Sequence, residues 1–132
     1  RLADPHVKVG LVAGDGGALL WPALIGYARA KRFLLSGDPV SGCEAAAIGL
    51  VTEAVPAAEL DARVEAWVSR LASGALQSIA GTKLAINAPL RQAAQTLMDI
   101  GMAYEGLSNI TADHREAVAA FRDKRPPTFT GR

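Results

Sequence analysis

Apolar positions change their period along this chain. Between Pro5 and a cluster of glycines, Val7, Val9, Leu11 and Val12 make a short, mostly β-branched run that predicts a strand, with Lys8 and Gly10 between them. Leu19 to Leu35 then follows a helical pattern. Leu20, Leu24, Tyr27 and Ala28 share one side, and Pro22 lies in the first turn, where no amide donor is required. Ser36-Gly37-Asp38-Pro39 breaks the chain. Ser41, with Glu44 three residues on, caps a short helix through Ile48; Gly49 ends it, and Leu50 to Val55 predict a second short strand.

Beyond residue 55 the pattern is helical. Leu60, Val64, Trp67, Val68 and Leu71 keep the i, i+4, i+7, i+8, i+11 spacing of a buried stripe. Glu59 and Asp61 near its start, Arg70 near its end and Gly74 after it suit the helix dipole and a helix stop. A second helix is expected from about Leu76 to Asn87. A third runs from about Leu90 to Leu107, with Leu90, Ala94, Leu97, Met98, Gly101 and Tyr104 facing inward. The last begins near Asp113, with Glu116 at capping-box spacing, and stops before Pro126-Pro127. The chain thus divides into residues 1–55, with two strands, a glycine turn and helices, and residues 56–132, which are helical. Two short strands do not make an independent sheet. The opening strand therefore predicts partner strands outside this stretch and argues against a complete small helical protein.

Composition narrows the class. Half of the 132 residues are hydrophobic and a fifth charged, so the chain can bury a core. Alanine is abundant and aromatics make up only 5%, which favours close-packed helices. A net charge of +1 offers no global attraction to nucleic acid or a membrane surface. No apolar run approaches the roughly 18 residues of a membrane span. The single cysteine, Cys43, cannot form an intrachain disulfide, and a reducing, cytoplasmic setting is expected.

Four features could carry chemistry. The turn Gly14-Asp15-Gly16-Gly17 can aim backbone N–H groups at an anion or polar substrate, or can simply turn the chain. Its spacing fits neither the dinucleotide fingerprint nor the P-loop. His6 is a candidate acid or base near neutral pH, or a structural histidine. Asp15 places a carboxylate inside the turn. Arg122, Lys124 and Arg125 end the last helix, with Arg132 in the tail; they either complement the helix dipole or meet phosphate groups, with Phe121 beside them as an apolar face. His114, in the first turn of that helix, is expected to face solvent. The two histidines and the cysteine lack metal-ligand spacing, and no Gly-x-Ser-x-Gly elbow is present, so metal and serine-hydrolase chemistry are set aside.

Read together and in order, these motifs resemble the crotonase (enoyl-CoA hydratase/isomerase) family. Asp4-Pro5-His6-Val7-Lys8-Val9-Gly10-Leu11-Val12-Ala13-Gly14-Asp15-Gly16-Gly17 is similar to the family's strand-and-glycine segment. Ser36-Gly37-Asp38 resembles its "TG(D/E)" turn, and Ala45-Ala46-Ala47-Ile48-Gly49-Leu50-Val51 its "A…GLV" element. His114-Arg115-Glu116-Ala117-Val118-Ala119-Ala120-Phe121-Arg122-Asp123-Lys124-Arg125 resembles "REG…AF..KR". The resemblance runs from Asp4 to Phe129.

It implies an α/β fold, a spiral of ββα turns followed by trimer-forming helices, of which residues 1–55 would be the end of the spiral and 56–132 the oligomerisation region. It implies an acyl-CoA thioester as substrate with no further cofactor, and a homo-oligomer, a trimer or dimer of trimers. The two oxyanion-stabilising N–H donors and the first catalytic glutamate of hydratases would lie upstream of Arg1, so this stretch alone would be inactive. His6 stands where hydratases place their second catalytic glutamate, and Gly14 matches the glycine whose N–H helps hold the reacting water. Phe121 and Lys124 match positions that contact CoA. Histidine in place of glutamate changes both charge and proton affinity and departs from the ordinary hydratase pattern: either His6 acts as acid or base, or Asp15 or an upstream acid carries the proton chemistry instead. Hydration, double-bond isomerisation and thioester hydrolysis all stay open for the parent enzyme, expected to be a lyase or isomerase of fatty-acid metabolism. A non-catalytic CoA-binding or oligomerisation module of the same fold is the alternative.

Overall fold

The computed structural model describes residues 1–132. Seven helices run in chain order: α1 Gly17–Ile25, α2 Tyr27–Ser36, α3 Gly42–Ala47, α4 Leu60–Ala72, α5 Leu76–Ile86, α6 Ala88–Ser108 and α7 Ala112–Arg122. Single 3-10 turns occupy His6–Val9 and Ala57–Glu59. One isolated antiparallel bridge joins Leu2 to Val40.

Neither expected strand forms. Residues 7–12 coil, because a strand needs a neighbour for its N–H and C=O groups and these residues satisfy theirs elsewhere. Lys8 N–H donates to the Pro5 carbonyl and Leu11 N–H to that of His6, both at 2.9 Å. Val12 N–H donates to Ser108 Oγ at 3.1 Å. Gly10, at φ 68°, closes the 3-10 turn in the left-handed region that glycine adopts without strain. Residues 50–55 are likewise turn and irregular chain.

The single helix expected over Leu19–Leu35 is two. It starts earlier, at Gly17, which puts Pro22 in the second turn, and it breaks at Gly26, where φ 79° and ψ 158° are not helical. Ser41 caps α3 as expected, its Oγ accepting from Glu44 N–H at 3.1 Å. The cap of α7 is Thr111, not Asp113, with Oγ1 accepting from His114 N–H at 3.1 Å. Asp113 and Glu116 instead hold the C-terminal tail. Asp113 accepts from the N–H groups of Thr130 and Gly131 at 2.7 and 2.8 Å. Glu116 takes the Arg125 guanidinium on both oxygens and the Thr128 N–H, which hold its carboxyl down to about 2.

Burial is uneven. The core lies in the first half, where Ala13, Ile25, Ala30, Phe33, Leu34, Val40 and Ala45 pack with Trp21, Ile48, Leu50 and Val51 against them. Helices α4, α5 and α6 contain no fully buried residue. The stripe Leu60, Val64, Trp67, Val68 and Leu71 is real, but it lies exposed along a groove shared with Leu2, Val51 and Val55. On α6, Leu90, Ala94, Met98 and Gly101 are half-buried, whereas Leu97 and Tyr104 remain exposed.

The N-terminal segment meets α6 backbone to backbone at Gly14 and Gly101. A methyl on Gly101 would lie 2.7 Å from the Gly14 carbonyl oxygen, and one on Gly14 would strike the Gly101 carbonyl. Alanine is intrinsically worth up to about 1 kcal/mol over glycine in a helix, yet overpacking a tight contact costs about 1–3 kcal/mol. Gly101→Ala is therefore expected to lower the thermal midpoint. Gly81→Ala, on a helix where the added carbon meets nothing within 4 Å, is expected to leave it unchanged or raise it; thermal melts of the two variants check this.

Candidate active site

The 3-10 turn at His6–Val9 begins with an Asp-Pro-His sequence that folds onto itself. Asp4 Oδ1 accepts from His6 Nδ1 at 2.6 Å and from the His6 backbone N–H at 3.4 Å. The Asp4 side chain is only 9% exposed, and its Oδ2 occupies the space a side chain at Gly17 would need. Glycine at 17 thus admits the carboxylate that orients the imidazole. An ionised carboxylate only accepts, so the Asp4 contact places a proton on Nδ1 and leaves Nε2 to exchange protons.

Two more carboxylates lie beside the imidazole. Asp15, in the glycine turn, brings Oδ2 to 3.7 Å and is 56% exposed, whereas the His6 side chain is 22% exposed. Glu105 comes from α6. One ligating atom from each of His6, Asp15 and Glu105 lies within 4.8 Å of the other two. Glu105 Oε2 is buried without a hydrogen-bond partner. The hydrogen bond from Asp4 raises the His6 pKa above its ordinary value; burial opposes it, and the charges of Asp4, Asp15 and Glu105 reinforce it. The result is one imidazole, biased toward its charged form, among three carboxylates. Histidine and cysteine spacing suggested no metal site, yet folding gathers three groups that could ligate one. A protonated His6 supplies the positive charge such a cluster needs.

Other expected site residues fall elsewhere. The Gly14 N–H donates to the Val12 carbonyl at 2.8 Å, so in this structure it is engaged within its own turn; the glycine's visible role is its approach to α6. His114 does not face solvent. It is half-buried, and its Nδ1 lies 2.7 Å from the Val9 carbonyl, tying the start of α7 to the 3-10 turn. Phe121 is seven residues further along α7, about 10 Å in helical rise, and is 84% exposed. Lys124 follows the helix with a left-handed φ of 54°. Of the basic cluster, Arg125 is engaged by Glu116 and Asp123.

Sequence reasoning missed Asp4 and Glu105. A carboxylate two residues before a histidine is a local signal and was available. Glu105 gave a fainter one: it continues the α6 face of Ala94, Met98 and Gly101 as an acid at an otherwise apolar or small position.

Comparisons with known proteins agree with one another. A family model described as "Enoyl-CoA hydratase/isomerase" matches residues 1–132. The chain is 33% identical to the 1,2-epoxyphenylacetyl-CoA isomerase of Escherichia coli K12 over 125 residues, covering 95% of this chain and 48% of that protein. It is 31% identical to the crotonyl-CoA hydratase of Syntrophomonas wolfei over 129 residues, covering 98% and 50%. The crystal structure of an enoyl-CoA hydratase from Mycobacterium avium subsp. paratuberculosis aligns with a TM-score of 0.90 at 33% identity, over 96% of this chain and 52% of that one. The chain spans about half the length of the relatives it matches.

Because folding raises the His6 pKa, His6 contributes stability that is full below its unfolded value of about 6.5 and is lost as pH rises through the folded value. Asp4→Asn is expected to lower the His6 midpoint and move that loss to lower pH. An NMR titration of the imidazole with thermal melts across the same range measures both, and an unmoved midpoint would separate Asp4 from control of His6.

Proposed function

The chain belongs to the enoyl-CoA hydratase/isomerase (crotonase) family, and from that premise we propose that it forms part of an enzyme acting on acyl-CoA thioesters, with His6 as a proton-transferring residue. The observation that carries this reading is the Asp4–His6 contact at 2.6 Å, which leaves Nε2 directed at a carboxylate-lined space. Reactions of this class move protons at carbons next to a thioester whose carbonyl takes up negative charge. An imidazole held by a carboxylate can accept or return such a proton near neutral pH. The raised His6 pKa favours the protonated, donating form at the start of a cycle. Backbone N–H groups that stabilise the thioester oxyanion belong, in this reading, to segments outside the stretch, so the 132 residues alone do not turn over substrate. Water addition and double-bond isomerisation are both within reach of the arrangement. Phe121 and Lys124, exposed at the end of α7, are the proposed CoA contacts.

The proposed assembly is a homo-oligomer. Its support is the apolar surface left open on α4 and on α6, including Trp67, Val68, Leu97, Ile100 and Leu107. The isolated stretch is accordingly expected to self-associate at micromolar concentration, and light scattering that returned a 13.7 kDa monomer would count against this.

In the full-length protein, His6→Gln is expected to lower kcat on short enoyl-CoA thioesters by roughly 100-fold or more, the usual worth of a general acid or base, while acyl-CoA binding persists. CoA-thioester binding without turnover by the unaltered protein, over a panel of enoyl-CoA substrates, would instead favour a non-catalytic binding module.

A further inference from the structure

His6 can do only one proton-transfer job at a time. Asp4 occupies Nδ1, so Nε2 alone faces the reacting space. Addition of water to an enoyl thioester needs two such jobs: a proton leaves water on one side and another reaches carbon on the other. The described residues hold two carboxylates beyond Asp4 that could take the second. Asp15 is more than half exposed and lies in a loop. Glu105 differs, since its Oε2 is buried with no donor supplied by the protein.

Its placement is also constrained from both sides. One turn before it, Gly101 crosses Gly14, and the Glu105 β-carbon lies 3.0 Å from where a β-carbon on Gly14 would stand. One turn after it, Ser108 Oγ donates to the Glu105 carbonyl at 2.7 Å and accepts the Val12 N–H at 3.1 Å. The His6 segment is thus fastened to α6 on either side of Glu105. Positions held this way by rigid elements suit a reacting group. Glu105 takes part in none of the chain's ion pairs, and His6 is the one basic group within the cluster.

We infer that Glu105 is a second catalytic residue, the carboxylate that works with His6 on the substrate. The inference rests on the acyl-CoA reading for its chemistry, but not for the pairing itself. In the addition direction, the Glu105 carboxylate takes a proton from water while the water oxygen bonds to the β-carbon. The π pair moves through the α-carbon to the thioester oxygen as an enolate. The His6 imidazolium then delivers its Nε2 proton to the α-carbon as the carbonyl re-forms. Neutral imidazole and neutral Glu105 remain, and one proton passing from the acid to the imidazole restores the starting state. The buried Oε2, unpartnered within the chain, finds its donor in the reacting water.

The test uses the full-length protein with Glu105→Gln, Glu105→Asp and, as a control on the exposed side of the same helix, Asp99→Asn. Glu105→Gln is expected to lower kcat by roughly 100-fold with KM within about threefold and one limb of the pH–rate profile lost; Glu105→Asp recovers part of the rate, and Asp99→Asn keeps it. Removing the Glu105 charge is also expected to lower the NMR titration midpoint of the His6 imidazole, in which Asp4, Asp15 and Glu105 are the facing acids. A Glu105→Gln enzyme with kcat within threefold of the parent overturns the catalytic role. An unmoved His6 midpoint in folded Glu105→Gln protein overturns the pairing. A moved midpoint in a protein that turns over no acyl-CoA retires the acyl-CoA reading and this proton-transfer role, and keeps only the pairing.

Discussion

Gly14 and Gly101 cross with no side chain between their backbones, and the arrangement of the polar site follows from that contact. It brings an N-terminal turn carrying His6 and Asp15 against the C-terminal part of α6, where Glu105 lies one helical turn beyond the crossing. The Val12–Ser108 hydrogen bond and the His114–Val9 contact fasten the same segment at two further points. A β-carbon at either glycine would push the helix away and separate Glu105 from the imidazole. A steric constraint made from the smallest residues therefore decides whether Glu105 joins the acids around His6.

The site holds a histidine whose charge is favoured by its surroundings. The shortest contact, from Asp4, dominates, and the more distant acids add to it without saturating Nε2. In the two-glutamate arrangement that the resemblance implies for hydratases, both proton carriers are anions when charged. His6 at that position is a cation when charged, and the surrounding carboxylates offset it. Under the proposed function, this exchange alters which charged form the site holds between reactions.

The uneven burial has a related origin. The first half builds a small core around Phe33 and Val40, whereas α4 to α6 carry well-formed apolar faces with little of the chain to cover them. Helical periodicity is satisfied there while burial is not, as expected of helices whose apolar surface is shared with other structure.

Features resting on hydrogen bonds between near neighbours were legible in the sequence: the run of helices after residue 55, the Ser41 cap, the stop before Pro126 and the ordered motifs that mark the family. His6 and Asp15 could be singled out because they stand beside a glycine turn. Features that depend on what lies across space were not. The β-branched run at residues 7–12 coils because its polar groups find partners in Pro5, His6 and Ser108 instead of a neighbouring strand. The expected long helix divides because Gly26 takes a conformation that periodicity does not encode. Glu105 joins His6 only once Gly14 meets Gly101. The sequence determined the helices after residue 55, the Ser41 cap and the presence of a titratable group at residue 6. Tertiary structure decided that Glu105 joins that group, because charges interact through distance in space and only folding brings residue 105 to residues 4, 6 and 15.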